Sequence, residues 1–271
     1  MIRFLILAGY FELTMYLQLS GKLNQYINLH YSYLAYISMF LSFVLALVQL
    51  IIWVKQMKIH SHLSGFWAKV ASIFLLCIPL FVGLFFPTVT LDSQTVSAKG
   101  YHFPVAAGSS KEIQQDEGTT TQYLKPDTSS YFTKSAYESE MKQAAKKYVD
   151  KKVIQATTEN YMEVMEVIYD YPDQFAGKTI ELTGFVYNDP NNKDSQFLFR
   201  FGIIHCIADS GVYGLLTTGA PQHFENNTWI HAKGTLSIEY HKQLKQSLPV
   251  LHISDCQTIT KPDNPYVYRV F

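Results

Sequence analysis

Residues Tyr31–Val54 read YSYLAYISMFLSFVLALVQLIIWV, 24 positions without a charged side chain. A helix needs about 20 mostly apolar residues to cross a bilayer, so this run predicts a membrane span over 31–54. Val70–Leu91 (VASIFLLCIPLFVGLFFPTVTL) is again uncharged and predicts another over 70–89. Between the two lie Lys55, Lys58 and Lys69. Short loops rich in Lys stay cytoplasmic, which places everything after the second run outside. The expectation is a multi-pass protein of the cell membrane with an extracellular C-terminal domain.

Upstream, residues 4–21 form a third, shorter apolar stretch with Glu12 in its middle. No small-residue cleavage site follows it, which argues against a secretory signal. Its apolar side chains, among them Leu5, Phe11, Leu13 and Leu17, surround a helix rather than striping it, which favours a span over an amphipathic interface helix. With three spans Arg3 is cytoplasmic; with two, the N-terminus is outside and the C-terminal domain is still extracellular. An acid within a span costs a few kcal/mol at the helix centre and usually faces a bundle interior. Glu12 is therefore a candidate for contact with a second membrane protein or an ion path; a shallow seat that lets it reach the interface is the alternative. Trp53 and Trp67 flank the Lys-bearing loop at the depth of an aromatic belt. Pro79 predicts a kink and Pro87 an end.

The formal net charge of zero hides an asymmetry. Before Thr90, Arg3, Lys22, Lys55, Lys58 and Lys69 oppose Glu12, a balance of +4; from Thr90 on, 17 basic and 21 acidic residues give −4. Neither part is a basic surface for nucleic acid. Of three cysteines, Cys77 lies in an apolar run and reads as a packing residue. Cys206 and Cys256, both on the exterior part, are either two separate reduced thiols or a disulfide.

The remaining chain divides into an exterior connector, 90–177, and a strand-rich domain, 178–271. Ala106–Gln122 is small, polar and turn-rich, a loop or disordered insert. Ser135–Val149 and Asn160–Tyr169 have helical apolar spacing, and Tyr171-Pro172 ends the second. From Lys178 the period becomes two. Strands are predicted at Thr179–Tyr187, Gln196–Ile204, Gly211–Thr217, Trp229–Ile238 and Leu248–Ile259, with Gly234 marking a bulge. Five short strands with a Gly-kinked fourth fit a small OB-like β-barrel, with a sandwich as the competitor. The fold class expected is a membrane-anchored α+β chain: three N-terminal transmembrane helices, a short helical region and an OB-like barrel.

Chemistry-bearing residues concentrate in Arg200–Gly211, RFGIIHCIADSG. Arg200 sits on a strand that carries the binding face in OB folds. Cys206 and Asp209, three apart, are competent ligands for zinc or another divalent metal, with His205, His231 or His102 to complete a set. In an extended strand, however, His205 and Cys206 point to opposite faces. A core thiol at Cys206 and a turn-starting Asp209 is the structural alternative. Cys206 as nucleophile with His205 as base lacks a third partner. His60 and His62, in the cytoplasmic loop, are a weak metal signal. Asp92 and His102 border the exit from the membrane. No phosphate loop or zinc-protease motif is present, and no enzymatic activity is expected.

Several strings occur together: SGKLNQYIN, LFFPTVTLDSQTVSAKGYHFPV, YLKPDTSSYF, YDYPDQFAGKTIELTGFVY, FLFRFGIIHCIADSGVYGLL, WIHAKGTLS and PYVYR. The set resembles the YcgQ-like family of bacterial membrane proteins over nearly the whole chain, and FRFGIIHCIADSG is its most specific part. The resemblance implies an accessory subunit of a permease, partnered by a multi-span membrane permease subunit encoded beside it and sometimes near metal-handling GTPases. Some relatives carry a His-rich insert in the second loop, where this chain has only Lys55–Lys69 with His60 and His62, a departure that weakens metal sensing. Relatives often have two adjacent cysteines where this chain has His205-Cys206. Beside the permease subunit stand two alternatives, a metal-binding protein and an envelope module for a glycan, peptide or lipid ligand.

Overall fold

A computed structural model describes residues 1–57, 65–86, 90–101, 134–190, 196–241 and 246–269, with side chains in the helix that begins at Lys134 described from Tyr137. The expectations for His60, His62, Pro87, His102 and the Ala106–Gln122 insert fall outside these residues. Two compact units emerge, Met1–Thr90 and Leu91–Phe271.

The first unit holds helices α1 (Ile2–Leu19), α2 (Ser32–Val54) and α3 (Phe66–Phe85), and each is long and apolar enough to cross a membrane. Gly21, at φ 69°, follows the end of α1, the left-handed backbone that a side chain would oppose. Asn28 caps the short turn leading into α2 by accepting from the His30 N–H at 3.0 Å. Small residues let α1 and α3 approach: a Cβ on Gly9 would meet Leu80 at 3.0 Å, and one on Gly83 would meet Leu13 at 2.9 Å. This is the close packing that glycine permits between membrane helices. Phe11 packs on Phe43 of α2, ring centroids 5.3 Å apart. Pro79 lies inside α3, which continues to Phe85. In the three helices only Ile6 and Ala46 are buried, and Phe40, Phe74, Phe81 and Phe85 point outward.

The second unit runs α4 (Ser93–Lys99), α5 (Lys134–Val149), β1 (Val153–Ala156), α6 (Tyr161–Asp170), α7 (Pro172–Phe175), β2 (Thr179–Asn188), β3 (Gln196–Ile203), β4 (Gly211–Thr218), β5 (Trp229–His241), β6 (Gln246–Thr258) and β7 (Val267–Tyr268). The five strands expected from the period-two pattern are β2 to β6. The expected bulge falls where the β5–β6 register shifts, at Lys233/Gly234. α4, β1 and β7 are too short to carry a period. Asp92 caps α4, its Oδ1 accepting from the N–H groups of Gln94 and Thr95 at 3.0 and 3.2 Å.

The strands form a seven-stranded sheet in the order β1-β2-β5-β6-β4-β3-β7, with β2 also paired to β3. β4 and β6 run parallel, as do β1 and β2, and β3 and β7. Every residue of β3 is buried, and every residue of β4 except Thr218, so both faces of these strands are covered. Phe197 and Phe199 lie nearly parallel at 5.2 Å, and Phe185 lies parallel to Phe201 at 5.6 Å. The segment read as a connector supplies Met141, Tyr161, Met162, Met165 and Ile168 to this same core.

Candidate functional site

β3 ends at Ile203, one residue earlier than the pattern predicted, so His205 and Cys206 lie beyond the strand. Both instead belong to a turn organised by Asp209, on the short 3-10 helix Ile207–Asp209. The Asp209 carboxylate accepts from the His205 N–H at 3.0 Å and from the Cys206 N–H at 2.9 Å, and its Oδ2 lies 2.6 Å from His205 Nδ1. The Cys206 side chain in return accepts from the Asp209 N–H, a reciprocal capping box. The carboxylate is spent on holding the turn. Cys206, Cys256 and Cys77 are all free thiols, and burial beside Asp255 pushes the Cys256 thiol up.

His231 belongs to a different place, on β5, where its Nδ1 lies 2.9 Å from Thr183 Oγ1 and its Nε2 2.9 Å from Glu181 Oε1. Among the described residues no three His, Cys, Asp or Glu side chains converge as a metal site. A similar arrangement went unforeseen on β5 and β6: His252 contacts Thr218, Ser237 and Glu239, with Nε2 2.8 Å from Ser237 Oγ. Ser237 and Glu239 both face Nε2 while Thr218 holds Nδ1. This is not the order a nucleophilic triad needs, in which the acid holds the nitrogen opposite the nucleophile. Cross-strand neighbours of this kind are set by register, which the sequence does not display.

Arg200 is 3 % exposed. Its guanidinium donates to the carbonyls of Pro265, Asn264 and Tyr266 at 3.3, 3.2 and 3.1 Å and to Thr158 Oγ1 at 3.0 Å. Tyr161 and Trp229 flank it, with ring centroids 5.6 and 5.8 Å away. It ties the C-terminal segment to β3 and presents no free donor face to a ligand.

Helix α6 carries two further features. The Tyr169 hydroxyl donates to the Gly214 carbonyl at 2.6 Å and accepts from the Gly214 N–H at 2.8 Å. β4 pairs with β6 only from Leu216 onward, so this one hydroxyl satisfies the backbone groups a neighbouring strand would otherwise take. Glu166, in contrast, is a buried acid whose Oε1 lies 3.9 Å from Arg269 Nη1 and makes no hydrogen bond among the described residues. Desolvation pushes its carboxyl up to about 7, opposed by the Arg269 charge and reinforced by Asp170, Glu140 and Glu163. Its place in the apolar repeat of α6, four residues after Met162, was the available signal.

A folded pKa raised above the unfolded value gives stability that is full below the unfolded value, about 4.5, and is lost as pH rises through about 7. The second unit is therefore expected to be less stable at pH 8 than at pH 5.5. Each tenfold gain in proton affinity on folding is worth about 1.4 kcal/mol. Glu166→Gln should flatten this dependence in thermal melts; a wild-type pH slope in the variant would refute the assignment.

Glu12 is exposed on α1, just past the middle of this 18-residue helix, and does not turn into the three-helix interior.

The DUF1980 N-terminal domain matches residues 2–102 and the DUF1980 C-terminal domain residues 131–269. A protein named "Putative two-component membrane permease complex subunit" from Streptococcus mutans serotype c is 68% identical over 271 residues, covering all of both chains. The "UPF0703 protein YcgQ" of Bacillus subtilis (strain 168) is 40% identical over 291 aligned positions, again covering all of both. No solved structure matches the chain.

Proposed function

We propose that this chain, which belongs to the DUF1980 family, is a non-enzymatic accessory subunit of a membrane permease complex. In this reading α1, α2 and α3 cross the cell membrane, the end bearing Arg3, Lys55 and Lys69 faces the cytoplasm, and the unit from Leu91 onward is extracellular, where it caps or gates a multi-span partner. The full-length likeness to a relative named as a permease complex subunit supports it. The observation that carries it is Glu12. An acid at mid-span costs about 2.5–3.5 kcal/mol on insertion scales, and here the bundle's own interior does not receive it. A polar group on a second membrane protein offsets that cost.

The order of pairing supports an OB-like barrel for the exterior unit. β2 pairs with β3, β3 with β4, β4 with β6, β6 with β5, and β5 with β2 again. The first, second, third, fifth and fourth strands thus meet in a ring, as in a five-stranded Greek-key barrel. The second and third strands of that ring, where OB folds usually bind oligomers, are β3 and β4, and α6 packs on them through Tyr169 and Met162. An occupied face and an acidic balance both argue for a protein partner rather than a nucleic acid.

The tagged chain, expressed with the multi-span permease subunit that the family resemblance implies and extracted in mild detergent, should bring that permease down. Glu12→Leu should lower the yield about tenfold, the equivalent of roughly 1.4 kcal/mol. Failure of the wild-type chain to retain the permease would reject the reading.

A further inference from the structure

The three helices do not close evenly. α1 and α3 touch at Gly9–Leu80 and Leu13–Gly83, and the Tyr10 hydroxyl donates to the Leu76 carbonyl at 2.9 Å. Towards the other end stand the first turns of α1 and residues 69–76 of α3. Together with the last turns of α2 they line a crevice of about 920 Å³. Its lining is apolar at Ile6, Ile52 and Leu76 and carries two exposed cations, Arg3 and Lys69, from the first turns of α1 and α3, with Gln56 just past the end of α2. No acidic side chain is among the described lining residues. The volume is that of a ligand pocket rather than a packing defect.

We propose that this crevice binds an anionic phospholipid of the cytoplasmic leaflet, with the phosphate between Arg3 and Lys69 and an acyl chain along the apolar wall. The inference rests on the reading that the three helices cross the bilayer. Three arguments commit it to a lipid. The charge is of one sign, which selects an anion. The cations stand exposed at the helix ends and the apolar residues Ile6, Ile52 and Leu76 follow further along the helices, which matches a molecule with an anionic head and a hydrocarbon tail and not a free phosphate. The mouth lies at the end that the Lys-bearing loop assigns to the cytoplasmic surface, where basic pockets between membrane helices take anionic headgroups.

The test uses the full chain, reconstituted in vesicles of equimolar phosphatidylglycerol and phosphatidylcholine, re-extracted in mild detergent and analysed for retained lipid by mass spectrometry. Phosphatidylglycerol should be retained about 30-fold over phosphatidylcholine, the equivalent of two cations at roughly 1 kcal/mol each. The double variant Arg3→Gln/Lys69→Gln should lose that preference, while Lys55→Gln, outside the crevice, should keep it. Equal retention of the two lipids, an unchanged double variant, or full displacement by inorganic phosphate overturns the proposal. Alkaline carbonate extraction separates the failures. A chain released from membranes rejects the spans and this site together, whereas a chain retained without lipid preference rejects this site alone.

Discussion

Gly214→Ala is expected to prevent the second unit from folding. Gly214 lies opposite Phe199 in the β3–β4 pair, and a Cβ there would stand 1.9 Å from the Leu198 carbonyl oxygen. That neighbour is backbone and cannot swing aside, so relief requires the two strands to part. Parting them pulls Gly214 from the Tyr169 hydroxyl, leaving buried backbone groups unpaired at about 1–3 kcal/mol each. A cost beyond about 4–5 kcal/mol is exceptional for one substitution, and here it approaches the whole stability of a typical domain, about 5–15 kcal/mol. Near-ultraviolet circular dichroism of the purified chain should show loss of ordered aromatic signal. Gly177→Ala is the comparison: Gly177 has φ 80° but open space around it, so its cost is the strain of left-handed backbone, roughly 1–2 kcal/mol. A Gly214→Ala chain that melts like wild type would refute the β3–β4 register.

Arg200→Met should detach the C-terminal segment. Met fills much of the volume of the stem but offers no donor, so the carbonyls of Asn264, Pro265 and Tyr266 lose their partner in a dry site. At about 1–3 kcal/mol for each orphaned group, partly relieved by movement of the segment, the loss is of order 3–5 kcal/mol. The movement has a specific address. β7 is only Val267–Tyr268, paired to β3 by Gly202↔Val267 and Ile203↔Tyr268, so the Arg200 bonds to the residues just before it are a large part of its backbone anchorage. Hydrogen exchange at 264–268 should accelerate far more than in β5 and β6. Arg200→Lys should be intermediate, since one ammonium cannot reach acceptors spread around a planar guanidinium. Unchanged protection at 264–268 in the Met variant would show that Arg200 is not the clamp.

The apolar helices and the longer strands were legible because each rests on a one-dimensional property. Absence of charge over 24 positions and alternation of apolar side chains both follow from burial that repeats along the chain. β1 and β7, of four and two residues, are too short for any period and exist through parallel pairing to strands already in place. His205, Cys206 and Asp209 form one cluster, as their spacing suggests, but besides the His205 ring it is backbone N–H groups that engage the carboxylate. Residue type alone does not separate a capping acid from a ligating one.

Arg200 shows the division most clearly. A cation in an apolar strand is a conspicuous letter, and by itself it suggests a binding face. Only the tertiary structure reveals that the chain's own residues 264–266 supply the ligand, in the form of three carbonyls. The sequence by itself determined three apolar helices, the end at which their cations gather, and a β-rich unit with a bulge at Gly234. The tertiary structure alone decided that β3 and β4 are covered on both faces, that Glu166 is a buried acid, that Glu12 faces out of the bundle and that residues of α1, α2 and α3, Arg3 and Lys69 among them, line one crevice. The reason is physical: burial periodicity is a property of neighbours along the chain, whereas charge pairing and cavities depend on residues that only folding brings together.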